Sequence, residues 1–210
     1  MTKAQLEKNS VITQIKKFCS LDKSQEKNLE DFVNFLLSEN QNFNLIGKST
    51  IDSIWERHIL DCAQIFPLIT NPTEKIADFG SGAGFPGFIL SILGAKEMHL
   101  IEKAFRKADF LRKAKTFSPN RTFVHQVNLE DLKDIKFSCI TSRALAPLPK
   151  LLEYTNSFLE KDGYCLFLKG RNLKNEIESS KNYFKFEYEL YPSLTSGESN
   201  IIKIFNLNKN

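Results

Sequence analysis

The spacing of apolar residues changes character along this chain, from helical near the start to strand-like after about residue 70. In the first part, Leu6, Val11, Ile12 and Ile15 recur at loosely helical spacing and predict a helix over Thr2 to Lys17. Asp22 and Gln25 form a capping box ahead of a second helix, with Leu29, Phe32, Val33, Leu36 and Leu37 as its apolar stripe. A polar loop follows over Asn40 to Asn44. Thr50 is then expected to cap a third helix, with Ile51, Ile54, Trp55, Ile59, Cys62 and Phe66 inward and Pro67 as its stop.

From residue 75 short apolar runs alternate with helical periods. Strands are expected near 75–79, 98–102, 122–126, 137–142 and 163–169, and helices near 86–93, 105–117, 147–160 and 172–183. Such alternation implies an α/β domain with a parallel sheet covered by helices on both faces. The tail breaks the rule. Phe184 to Tyr191 and Ile201 to Asn206 both read as strands, joined by a Pro/Ser/Gly stretch, and predict a closing antiparallel pair at one sheet edge. The expected organisation is a helical extension over 1–70 and an α/β domain over 71–210.

Composition agrees with that size: 210 residues, 41% hydrophobic and 26% charged, suit one core-forming domain with a small addition. No apolar stretch of about 18 residues is present, so no membrane-spanning helix is expected. Met1 to Lys8 lacks the apolar core of a signal peptide, and a cytoplasmic location is the expectation. Cys19, Cys62, Cys139 and Cys165 form no C-x-x-C pair and sit among apolar neighbours, as reduced core residues do. His58, His99 and His125 are too scattered to predict a metal site. The net charge of +4 is modest, but Lys103, Arg106, Lys107, Arg112, Lys113 and Lys115 fall within thirteen residues, in and just before the predicted helix 105–117. Its inner stripe is Phe105, Ala108, Leu111 and Ala114, which leaves a basic outer face able to meet phosphates.

The chemistry concentrates in Ile76 to Gly87, where a short strand runs into Gly80, Gly82, Gly84 and Gly87 and then into a helix. Strand, glycine turn and helix open a nucleotide-binding α/β unit. Asp78 is unusual there, because a carboxylate in an apolar strand is costly to bury unless something binds it. Two registers fit. Gly82 to Gly87 satisfies the dinucleotide pattern G-x-G-x-x-G. Asp78-x-Gly80-x-Gly82-x-Gly84 resembles motif I of class I S-adenosylmethionine-dependent methyltransferases and begins where the strand ends. Either cofactor has a ribose diol, which the carboxylate of Glu102 at the end of the second strand suits. The alternatives are therefore an S-adenosylmethionine-dependent methyltransferase of another substrate class, a small molecule or a protein, and an NAD-dependent enzyme or a nucleotide-binding module without catalysis.

Further along, Asn128 to Asp131 is either an adenine-holding loop or an ordinary acidic helix start. Arg143 ends the fourth strand, where such sheets present chemistry, and suits a cofactor carboxylate, an RNA phosphate or a plain surface ion pair. No (N/D)-P-P-(Y/F) tetrad stands there, which disfavours methylation of an adenine amine. On the third predicted helix, His58 falls seven residues after Ile51, as a core histidine would, while Arg57 and Asp61 stand four apart as an ion pair would. Their proximity also fits a positioning role at a pocket rim.

Asn44-Leu45, the run Arg57 to Asp61, Asp78 to Gly87, Lys107 with Phe110-Leu111-Arg112, Ser142-Arg143-Ala144 and Leu168-Lys169-Gly170 occur in that order. Together they resemble the bacterial ribosomal RNA small-subunit methyltransferase G family (glucose-inhibited division protein B), over about residues 30 to 205. The resemblance implies a class I, Rossmann-like methyltransferase with a mostly parallel seven-stranded sheet. It implies S-adenosylmethionine as cofactor and N7 of one guanine in 16S ribosomal RNA as substrate, met as RNA or as the small ribosomal subunit. Carried over by residue, cofactor contacts fall on Gly80, Phe85, Leu129, Glu130 and Arg143, beside Asp78, Gly82 and Glu102 from the turn itself. Two departures stand out. Glu102 replaces the family's usual Asp, and Val127-Asn128 replaces a frequent Arg before the acidic pair. RNA is expected to meet Lys103, Arg106, Lys107, Lys169 and Arg171 around the crevice, and the protein is expected to be a monomer. Guanine N7 is an acceptor with a free lone pair, so no general base is needed and no catalytic acid/base pair is expected. Positioning would supply the catalysis.

Overall fold

The computed structural model describes residues 3–210. Helix α1 (Lys3–Ile15) ends two residues before the expected Lys17, and Thr2 lies outside the described residues. Helix α2 (Lys23–Asn40) carries the capping box in full: the Gln25 N–H donates to the Asp22 side chain, and the Gln25 side chain accepts the Asp22 N–H. Its buried stripe is Leu29, Phe32, Val33 and Leu36.

The third helix is not the regular one expected. The chain enters as a 3-10 turn (Lys48–Ser53), winds into a π-helical turn (Trp55–Leu60) and closes with a single α turn, α3 (Asp61–Ala63). Thr50 is not its cap but lies inside the 3-10 turn, where both its N–H and its hydroxyl donate to the Gly47 carbonyl at 2.9 and 2.8 Å. Pro67 sits within a further 3-10 turn (Phe66–Leu68) rather than ending a helix.

Strands and helices then alternate: β1 (Lys75–Phe79), α4 (Gly87–Leu93), β2 (Glu97–Ile101), α5 (Phe105–Ala114), β3 (Arg121–His125), β4 (Phe137–Arg143), α6 (Leu148–Asn156), β5 (Leu159–Lys169), α7 (Leu173–Ser180), β6 (Phe184–Pro192) and β7 (Asn200–Lys209). One seven-stranded sheet has the order β3-β2-β1-β4-β5-β7-β6. β1 to β5 pair in parallel, and β7 runs antiparallel to both β5 and β6. β5 begins four residues before the expected 163. The Phe137 N–H takes the Phe158 carbonyl at 2.8 Å, and a register shift between Phe137 and Cys139 recruits Leu159 into the sheet.

Two apolar clusters cover the two faces. One joins Phe32 of α2 to Phe88 of α4 (ring centroids 4.8 Å apart) and Phe110 of α5, so the N-terminal helices share a core with the sheet. The other holds Phe79, Phe137, Leu151 and Phe167. Polar contacts reinforce the join, since the Gln25 amide donates to the Leu93 carbonyl at the end of α4 (2.9 Å). The four cysteines are buried and unpaired, and among the described residues no helix is long and apolar enough to cross a membrane. The order of strands reverses between β1 and β4, which leaves a crevice at their carboxyl ends.

Candidate functional site

The glycine turn leaves β1 through Gly80 (φ +72°) and Gly82 (φ +55°), conformations that side chains rarely adopt. The Gly80 and Ser81 N–H groups donate to the Ile101 carbonyl at 3.0 and 3.1 Å, which folds the turn over the end of β2. Glu102 locks it there: one carboxylate oxygen accepts the Gly82 N–H at 2.9 Å and the other the Ala104 N–H at 2.7 Å. Each oxygen keeps a second lone pair, so a diol can still be accepted.

Asp78 takes a different place from the one its sequence position suggests. It is fully buried beneath the turn and lines no cavity, with Oδ2 accepting the Gly87 N–H at 3.0 Å and Oδ1 the Thr141 hydroxyl at 3.3 Å. What compensates this carboxylate is the protein's own backbone. Burial pushes its pKa up to about 6 against the pull of these hydrogen bonds. Gly87 is required by packing, because a Cβ there would lie 2.5 Å from Asp78 Cβ.

Two cavities open at the carboxyl edge. The first, about 380 Å³, is lined by Gly80, Gly82, Glu102, Leu129, Glu130 and Arg143, together with Lys103 and Lys107. Leu145 and Tyr154 complete it, and neither was expected from the sequence. A Cβ on Gly82 would meet only the Gly80 carbonyl at 3.8 Å, so the turn presents open backbone to this space. Apolar Ile101, Val127 and Leu129 share its lining with polar Glu102 and Glu130, and the volume suits a nucleoside-sized ligand. Phe85 is not among the lining residues; it lies buried beneath Arg143 and His58.

The second cavity, about 600 Å³, includes Thr50, Arg57, His58, Asp61, Lys169, Arg171, Glu176 and Thr195 and shares Arg143 and Ala144 with the first. Ala144 has φ +54°, strained for a residue with a Cβ, and sits where the two spaces meet. A larger cavity of about 740 Å³ shares Leu129, Glu130 and Tyr154 with the first and extends from them to Phe158, Phe184 and Lys209.

Arg143 is held by a part of the chain more than eighty residues away. Its Nη1 donates to the Arg57 carbonyl (3.0 Å) and to Asp61 Oδ2 (3.1 Å), its Nη2 donates to His58 Nδ1 (2.8 Å), and its guanidinium lies 5.0 Å from the Phe85 ring centre. A guanidinium only donates, so His58 Nδ1 must be the unprotonated nitrogen. Nε2 therefore carries the proton and donates to Thr50 Oγ1 at 2.8 Å, whose own proton goes to Gly47. Burial, together with the charges of Arg143 and Arg57, lowers the His58 pKa to about 3 and keeps the ring neutral. The expected Arg57–Asp61 pair does not form. The π-helical turn changes the register, the Asp61 N–H reaching back five residues to the Glu56 carbonyl, and the Asp61 carboxylate takes Arg143 and the Thr195 hydroxyl (2.7 Å) instead. Thr195 carries no sequence signal for this role, since 134 residues separate it from Asp61, whereas Gln64, which donates to Asp61 at 3.0 Å, lies only three residues along.

Of the basic residues, Lys103, Arg106 and Arg171 are exposed and Lys107 is half-buried, and among the described residues none of them forms an ion pair. Lys169 differs. Its ammonium is largely buried, 2.5 Å from Glu176 and 3.0 Å from the Ala146 carbonyl.

A reversing strand order, an open glycine turn over an acid-ended second strand, and a closing antiparallel strand define the class I S-adenosylmethionine-dependent methyltransferases. Ribosomal protein L11 methylase from Lactobacillus delbrueckii subsp. bulgaricus shares the fold, with a TM-score of 0.58 and 19% identity over 70% of this chain and 77% of that one. Within that class, residues 25–202 match the family described as rRNA small subunit methyltransferase G, and the chain belongs to it. Ribosomal RNA small subunit methyltransferase G of Rhodospirillum rubrum is 37% identical over 84% of this chain and 88% of its own length. The protein of the same name from Rickettsia prowazekii is 38% identical over 86% and 94%.

Proposed function

We propose that this protein methylates N7 of one guanine in 16S ribosomal RNA. The observation that carries the reading is the junction of two cavities at Arg143 and Ala144, one of nucleoside size over the glycine turn and one beside it lined with cations. S-adenosylmethionine, when bound, would supply a sulfonium methyl whose carbon a ring-nitrogen lone pair attacks, the thioether leaving and no proton being lost. The residues of the first cavity fit it: Glu102 has lone pairs for ribose hydroxyls, Leu129 and Val127 offer an apolar slot for adenine, and Arg143 offers donors to a carboxylate.

The protein's own contribution is placement. Arg143 is fixed by His58, Asp61 and the Arg57 carbonyl, so its remaining donors point from a rigid base rather than from a free side chain. His58 stays neutral and serves as an acceptor; it takes no proton from the base. Alignment of this kind supplies about 7–11 kcal/mol of a barrier. Lys103 and Lys107 line the first cavity and Arg171 the second, and together with exposed Arg106 they would attract the RNA backbone, from which an unstacked guanine enters.

Calorimetry with S-adenosylhomocysteine and with NAD separates the cofactors: only the former should bind. Incubation with methyl-labelled S-adenosylmethionine and small ribosomal subunits should then place the label in 7-methylguanosine. Binding of NAD alone, or label in protein rather than RNA, would overturn the reading.

A further inference from the structure

A methyl group arriving at N7 leaves positive charge on the guanine, and the second cavity contains one acid free to answer it. Asp61 has both oxygens engaged, Oδ1 accepting from Gln64 and Thr195 and Oδ2 from Arg143, which leaves a single lone pair on Oδ2. Glu176 has only one engaged. Its Oε2 accepts the Leu148 N–H at 2.7 Å and holds the Lys169 ammonium at 2.5 Å, while Oε1 has no hydrogen-bond partner among the described residues. That oxygen is also not sealed away, because no fully buried side-chain oxygen or nitrogen lacks a partner among the described residues. Glu176 itself lines the second cavity.

We propose that Glu176 reads the Watson–Crick edge of the target guanine and balances the charge the base acquires. This rests on the guanine reading given above. Guanine presents two donors side by side on that edge, N1–H and the N2 amino group, with O6 next to them. A carboxylate oxygen with two open lone pairs matches the donors. Lys169, which gives one proton to Ala146 and one to Glu176, has a third for O6. Adenine offers the reverse pattern, an acceptor at N1, and a carboxylate facing it leaves lone pair against lone pair. The position fits as well. Arg143 pairs with Leu168 in the sheet, so Lys169, the last residue of β5, stands one step past the partner of Arg143, which lines both cavities. In the transfer the carbon–sulfur bond breaks with its electron pair remaining on sulfur, the N7 lone pair forms the new bond, and one positive charge passes to the base. N1–H becomes a stronger donor in the same step, so the hydrogen bond to Glu176 strengthens in the transition state. An acid in a cavity that otherwise attracts phosphates is explained by this task.

Glu176→Gln separates the role from packing. The amide oxygen must stay with Leu148 and Lys169, which turns the amino group toward the cavity, donor against donors. The assay compares small ribosomal subunits carrying guanosine or inosine at the methylated position, inosine lacking only the N2 amino group. Wild type should favour guanosine by at least tenfold in kcat/KM. The variant should lose at least tenfold on guanosine and bring the guanosine-to-inosine ratio toward one, while affinity for S-adenosylhomocysteine and the unfolding midpoint stay near wild type. An unchanged ratio in the variant, with or without a fall in rate, would overturn the assignment. Failure of the underlying reading shows itself separately, as wild type that forms no 7-methylguanosine at all.

Discussion

Arg143 owes its position to groups it meets only through the fold: a backbone carbonyl, an imidazole and a carboxylate, all from the π-helical turn or its edge. A planar fork is needed to satisfy them together, and lysine has none. Arg143→Lys should therefore weaken S-adenosylhomocysteine about tenfold or more, as loss of a charged hydrogen bond worth about 1.5–3 kcal/mol requires. Calorimetry at fixed salt reads this directly, and wild-type affinity would remove Arg143 from cofactor anchoring. Asp78 allows a prediction of a different kind. Its pKa of about 6 in the folded protein stands above the ordinary 3.8, so the folded state takes up the proton first. Stability from this group is greatest below about pH 4 and is lost as pH rises through 6, by about 3 kcal/mol. His58 has the opposite sign: with its pKa lowered from 6.5 to about 3, its contribution is complete above 6.5 and lost as pH falls below it. Comparison with a variant isolates the carboxylate. Asp78→Asn should lose stability relative to wild type between pH 7 and pH 4 in urea titrations. A difference that does not change with pH would contradict the assignment.

Among the elements, those with a strong period were readable in advance and those without one were not. The capping box of α2, the strands of the parallel sheet and the glycine turn follow from local sequence, because each is fixed by neighbours within a few residues. The segment from Lys48 to Ala63 was not readable. Its apolar spacing fits an α-helix, yet contacts from β4 and the β6–β7 loop favour a 3-10 turn followed by a π-helical one. Thr50 illustrates the difference: it reads as a cap and acts as the acceptor for His58. Thr50→Val leaves the Nε2–H buried without a partner and should cost about 1–3 kcal/mol, whereas Thr50→Ser should restore most of it. Thermal unfolding of the two variants tests this, and equal loss in both would point to packing instead. The glycine turn divides similarly. Gly82→Ala adds a Cβ in open space facing the first cavity and should act mainly on cofactor affinity, beyond a backbone cost of about 1–2 kcal/mol. Gly87→Ala pushes a Cβ against Asp78 and should act on stability, by about 1–3 kcal/mol or more. Measured together, equal effects of the two on binding would show that the cavity is wrongly placed.

For the molecule as a whole, the fold class and the family were legible because motif order along the chain records them. The meeting of Arg57, His58, Asp61, Arg143 and Thr195 was not, since it depends on where a helical extension and a C-terminal loop close over the sheet. Nor was the engagement of Lys169, whose pairing with Glu176 crosses from β5 to α7. The exposed basic rim remains, and RNA affinity should fall with salt at a log–log slope of about −0.7 for each phosphate neutralised on single-stranded RNA. The most direct test of the central claim is nucleoside analysis of 16S ribosomal RNA from cells with and without this gene. Loss of a single 7-methylguanosine in the deletion strain, restored by the wild-type protein and not by Arg143→Ala, is the predicted result. An identical modification pattern in the two strains would contradict it.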